Sequence, residues 1–119
     1  MLELDMDVWC VGNQGGELAV AIFLDDNGIK YERFKKFDDC KNIFKLPFDF
    51  YLPEYNICIE FDGIQHFEPR DAFGGKVEFE KTKLRDKIKD DYCKNNGLSL
   101  IRISNIRDIK NKLYFLCKL

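Results

Sequence analysis

The chain has 119 residues, 45% of them hydrophobic and 34% charged, enough to bury one core and too few for two. Eleven Phe and five Tyr against three Pro and eight Gly exclude a disordered or low-complexity chain. The net charge of −2 argues against a uniformly basic nucleic-acid binder, but it averages 6 basic and 13 acidic side chains in residues 1–62 with 13 basic and 8 acidic ones in residues 63–119; either one half faces phosphates while the other holds metal, or the second half carries an ordinary solvated helix.

Met1 to Val11 mixes acids into its apolar residues without a basic leader region, and no stretch has the apolar length of a membrane span, so a soluble intracellular protein is expected. The five cysteines, at 10, 40, 58, 93 and 117, form no Cys-x-x-Cys pair and read as small apolar fillers. Glu17 to Asn27 carries Leu18, Ile22 and the Val20, Phe23, Leu24 group at helical spacing, with Gly28 as its stop. Ile29 to Phe37 reads as an outer strand and Asp38 to Lys45 as a polar loop. Pro47 to Leu52 and Tyr55 to Asp62 are clearer strands, joined through Pro53-Glu54. In the second, Ile57, Ile59 and Phe61 alternate with Cys58, Glu60 and Asp62, an apolar face back to back with a carboxylate face.

Gly63 to Lys76 is a long connection of the kind that often carries function. Val77 to Asn96 is a helix with one stripe of Leu84, Ile88 and Tyr92 and a second of Phe79, Thr82, Asp86 and Cys93, ended by Gly97. Leu98 to Ile103 is an apolar strand, and Asn105 to Leu116 a last helix with Ile106, Ile109, Leu113 and Leu116 inward. The expected fold is a single α/β domain (α+β, mixed sheet) in the order α-β-β-β-α-β-α. The crossover helix lets the last strand pair parallel to the carboxylate strand.

The chemistry concentrates in Leu46 to Phe67, LPFDFYLPEYNICIEFDGIQHF. Asp49 lies between Phe48 and Phe50, which are expected to face the core, so the hairpin sets its carboxylate beside Glu60 and Asp62. Three carboxylates that close force at least one carboxyl to stay protonated unless a cation neutralises them, and oxygen-only donors suit Mg²⁺ or Mn²⁺. Such an ion lowers the pKa of bound water and stabilises a leaving oxyanion, the needs of phosphodiester hydrolysis. His66, the sole histidine, follows four residues after Asp62. Alone it reads as a structural residue; beside the carboxylates it reads as the acid or base of the reaction.

These motifs resemble the PD-(D/E)XK, or restriction-endonuclease-like, superfamily, within it the branch similar to the very-short-patch repair endonuclease and the phage-type EDxHD homing nucleases. The resemblance spans about residues 16–103: Glu17 early in the first helix, Asp49 in DFYLP, Glu60 and Asp62 in the strand ending in Asp-Gly, His66, Asp86 in the basic helix, and NNGLSLIRI after it. It implies a restriction-endonuclease-like core and a divalent-metal-dependent DNA endonuclease, with Asp49 and Glu60 as the metal carboxylates. Asp62 stands where most members carry the motif lysine, which passes the water-handling task to His66, or to Lys76, Lys81 or Lys83. Glu17 is equally what a helix dipole favours in a first turn, and Lys83 and Lys89 offer Asp86 ordinary ion pairs at i−3 and i+3. Lys76, Lys81, Lys83, Arg85, Lys87 and Lys89 are the expected phosphate contacts. The remaining residues hold no separate recognition module, so specificity falls to loops, a homodimer or a partner protein. The competing readings are a catalytically silent nucleic-acid-binding or assembly module, and a nuclease on RNA or branched DNA.

Overall fold

The computed structural model describes residues 14–63 and 75–117. Helix α1 (Gln14–Asp26) is followed by strands β1 (Glu32–Lys41), β2 (Lys45–Leu52) and β3 (Ile57–Phe61). The long helix α2 (Gly75–Asn95), strand β4 (Ser99–Ile103) and a short helix α3 (Ile109–Leu113), flanked by 3₁₀ turns, complete it. The order is the expected α-β-β-β-α-β-α. The four strands form one mixed sheet, β1-β2-β3-β4. β1–β2 and β2–β3 are antiparallel and β3–β4 is parallel, as a crossover through α2 requires. Among the described residues no helix is long and apolar enough to cross a membrane.

Two apolar clusters lie on opposite faces of the sheet. The first joins Val20 and Leu24 of α1, Phe50 and Leu52 of β2, the odd-numbered residues of β3, and Ile109 and Leu113 of α3. The second joins Cys40, Leu46, Phe48, Cys58 and Cys93, with Ile88 and Tyr92 of α2 packed on it. Both faces of β3 are therefore buried, and its carboxylate face is covered by α2 rather than left to solvent. The cysteine-filler reading holds for Cys40, Cys58 and Cys93, which are buried and free.

Several expected boundaries move. β1 runs on to Lys41 because a register shift between Lys36 and Lys41 lets the strand continue past its broken alternation and bury Cys40. The polar loop shrinks to residues 42–44. In α2 the stripe of Leu84, Ile88 and Tyr92 loses Leu84, which is exposed. The last helix keeps its inward stripe but divides into 3₁₀, α and 3₁₀ segments. Gly28 and Gly97, at φ 66° and 70°, take the left-handed conformation that ends α1 and α2.

Phe48 and Phe50, expected on one core, belong to different clusters. The pairing of β2 with β3 ends at Phe50↔Ile59, and Asp49 sits at the point where the strands part.

Candidate functional site

Where β2 and β3 separate, side chains take over the ladder. The Asp49 N–H donates to Glu60 Oε2 at 2.7 Å, and the Phe61 N–H donates to Asp49 Oδ2 at 2.8 Å. Each carboxylate thereby satisfies an amide of the opposite strand, which would otherwise lack a sheet partner. The exchange also locks Asp49 and Glu60 side by side between the strands.

A cation reaches this pair from α2. Lys89 Nζ donates to Glu60 Oε1 at 2.7 Å, with side-chain exposures of only 12% for Lys89 and 5% for Glu60. A second arrives from β1: Arg33 donates through Nε to the Asp49 carbonyl at 3.0 Å and through its other arm to Glu17 Oε1. Glu17, in the first turn of α1, thus pairs with Arg33 at the edge of the site. Burial and the negative Glu60 raise the Glu17 carboxyl above its ordinary pKa, with Arg33 opposing them. Asp49 is more affected: burial first, then the charge of Glu60, push its carboxyl up to about 7, against the pull of the Phe61 amide. At neutral pH burial and the neighbouring negative charge of Glu60 thus favour the protonated Asp49 carboxyl.

Asp62 and Asp86 meet at another point. Arg102 of β4, in register with Glu60, lies 3.1 Å from Asp62, 3.6 Å from Asp86 and 2.9 Å from Asp90. The expected trio of metal carboxylates is therefore not gathered. Asp49 and Glu60 converge, Asp62 is held by the Arg102 guanidinium, and among the described residues no cluster of three or more His, Cys, Asp or Glu has metal-site geometry. Asp86, to which helical spacing offers Lys83 and Lys89, pairs across to Arg102 of β4 and also lines the cavity beside Asp49.

That cavity, about 320 Å³, opens over the pair and is lined by Phe34, Asp49, Glu60, Arg85, Asp86 and Lys89 among others. The six basic residues expected to contact phosphate divide accordingly. Arg85 and Lys89 turn to the cavity, while Lys76, Lys81, Lys83 and Lys87 are exposed, with Lys81 paired to Glu78 and Lys87 to Asp91. Sequence reasoning assigns Lys89 to phosphate and does not foresee its bond to Glu60. Its spacing carries the signal: Lys89 is four residues before the buried Cys93, and so on the inward face of α2. Arg33 and Arg102 were missed as well, because strand arginines show their partners only once the register is known. His66 and most of the Gly63 to Lys76 connection lie outside the described residues.

Asp49 and Glu60 offer only oxygen, the donor type that hard divalent ions take; Asp49 Oδ1 accepts no hydrogen bond among the described residues, while both Glu60 oxygens accept one. No family model matches the chain, and no solved structure matches it. The chain is similar to Uncharacterized protein 307L of Invertebrate iridescent virus 6, at 32% identity over 73 residues, which cover 60% of this chain and 37% of that protein. The matched segment is thus little more than a third of the viral protein's length.

Proposed function

We propose that the protein is a divalent-metal-dependent nuclease that hydrolyses phosphodiester bonds in DNA, on a restriction-endonuclease-like core. The observation that supports this reading best is the Asp49–Glu60 pair, set between diverging strands, bonded by the Lys89 ammonium at Glu60 and opening with Lys89 on one cavity. Asp49 and Glu60 would hold Mg²⁺ or Mn²⁺, which when bound supplies an activated water and charge stabilisation at the phosphoryl group.

The chain's own residues account for the rest. Lys89 stands in for the lysine that the sequence lacks two residues after Glu60: it fixes the Glu60 carboxylate and brings a positive charge to the cavity where negative charge grows on phosphoryl oxygens. Arg33 orients the Asp49 backbone and neutralises Glu17. Arg85 offers the cavity a second cation for a phosphate. His66 remains the proposed carrier of the water or leaving-group proton. Arg102 braces α2 against β3 and β4 through Asp62, Asp86 and Asp90, so these acids serve to hold the helix that carries Lys89.

A silent binding module is the second reading, and one observation favours it: both Glu60 oxygens already have partners within the chain. Incubation with supercoiled plasmid, linear duplex, single strand and RNA, each with and without Mg²⁺ or Mn²⁺, separates the two. Metal-dependent cleavage by the wild type, absent in Asp49→Asn, is expected. Binding without cleavage under every condition supports the silent module.

A further inference from the structure

Phe34 occupies an unusual position. It lies in the middle of β1 with φ at 56°, a conformation that a bulky aromatic residue seldom adopts. Its ring does not enter either core cluster and stays 56% exposed. The register of β1 on β2, Arg33↔Phe50 and Lys35↔Phe48, sets Phe34 across from Asp49. The ring lines the same cavity as Asp49, Glu60 and Lys89. The Arg33 guanidinium lies 4.5 Å from its centroid and 4.3 Å from that of Phe50, and Arg33 is itself fixed by Asp49 and Glu17. A strained, exposed aromatic ring is thus braced beside the carboxylate pair. Strain of this kind persists where the surroundings impose it, commonly at functional sites.

The cavity lining combines two kinds of residue: apolar Phe34, Leu46, Pro47 and Phe61, and charged Asp49, Glu60, Arg85, Asp86 and Lys89. A nucleotide has the same division: a flat apolar face on its base and an anion on its phosphate. We propose that Phe34 is the stacking platform for the base next to the phosphate held by the charged residues of the cavity, and that the site therefore takes a single-stranded or locally unpaired strand in preference to an intact duplex. A base inside a duplex is already stacked on both faces, so presenting it to Phe34 requires unstacking, which costs least where pairing is absent. The inference rests on reading the site as one for nucleic acid.

The full-length protein tests it with a 12-nucleotide single strand and the same strand in duplex. Each carries a fluorescent end label, or 2-aminopurine along the strand, and binding is measured in Ca²⁺. Phe34→Asn removes the ring and suits the left-handed backbone, so its melting temperature should equal or exceed the wild type's. Its affinity for the single strand should fall about 5- to 100-fold, with loss of the 2-aminopurine quenching seen with wild type. Phe34→Trp should keep both. Wild-type affinity in Phe34→Asn, tighter wild-type binding to duplex than to single strand, or a clear fall in melting temperature of Phe34→Asn would each overturn the proposal. Cleavage of the same strands in Mn²⁺ reports separately on the nuclease: Phe34-dependent binding without cleavage upholds the platform and removes the nuclease, and cleavage with Phe34-independent binding does the reverse.

Discussion

Asp49 is costly to the fold and valuable to the site for the same reason. Its carboxyl has an ordinary value near 3.8 when the chain is unfolded and about 7 when folded. Between those values the unfolded chain gives up the proton first. In metal-free buffer, stability should therefore be highest below about pH 4 with respect to this group, and fall as pH rises through 7. Asp49→Asn should flatten that fall and be more stable than wild type at pH 8 by about 2 kcal/mol, a figure discounted for partial solvent screening. Urea unfolding across pH measures it; a parallel pH curve in the variant would tell against the raised carboxyl. Lys89 shows the opposite balance. Lys89→Met strands Glu60 without its cation and should cost about 3 kcal/mol at pH 8, while the pair Lys89→Met with Glu60→Gln should recover most of that deficit. Turnover of Lys89→Met should fall by roughly 10²-fold or more, as for other charge-stabilising donors, and full activity would return Lys89 to a purely structural role.

The elements that position these residues were legible to different degrees. Alternation in 57–62 and helical spacing in 77–96 identified β3 and α2, and the crossover argument led to the parallel β3–β4 pair. Alternation does not reveal where a ladder ends, so the parting of β2 and β3 at Asp49, which sends Phe48 and Phe50 to opposite faces, could not be read from residue type. The same limit hid the Arg102 cluster, since spacing along α2 suggests partners on α2 and not on a neighbouring strand. One close approach holds α1 against this region: a Cβ at Gly16 would collide with the Phe61 ring. Gly16→Ala should thus destabilise the fold by about 1–3 kcal/mol and lower turnover, because Phe61 supplies the amide that holds Asp49. Thermal unfolding checks the first; an unchanged melting temperature would mean that α1 shifts freely.

Across the whole molecule, charge is organised in layers. The carboxylate pair is inside, Lys89 and Arg33 flank it, and exposed Lys76, Lys81, Lys83 and Lys87 lie along the outside of α2. Asp49 and Glu60 lie in the acidic half of the sequence and these exposed lysines in the basic half, but charge asymmetry alone gives all six basic residues one role. Replacing the four exposed lysines by Gln should weaken binding to all sequences alike and flatten the salt dependence, by up to about 0.9 in log–log slope for each duplex phosphate that is no longer neutralised. An unaltered slope would place the nucleic-acid path elsewhere. The claim on which the rest depends is that Asp49 and Glu60 hold a divalent ion. Calorimetric titration of Mn²⁺ into wild type, Asp49→Asn and Glu60→Gln near neutral pH, with the Asp49 carboxyl raised to about 7 by burial and the charge of Glu60, tests it most directly. Saturable binding to the wild type is expected, with proton release as the raised Asp49 carboxyl ionises, and that binding is lost in both variants. Absence of binding to the wild type, or equal affinity in all three proteins, would contradict it.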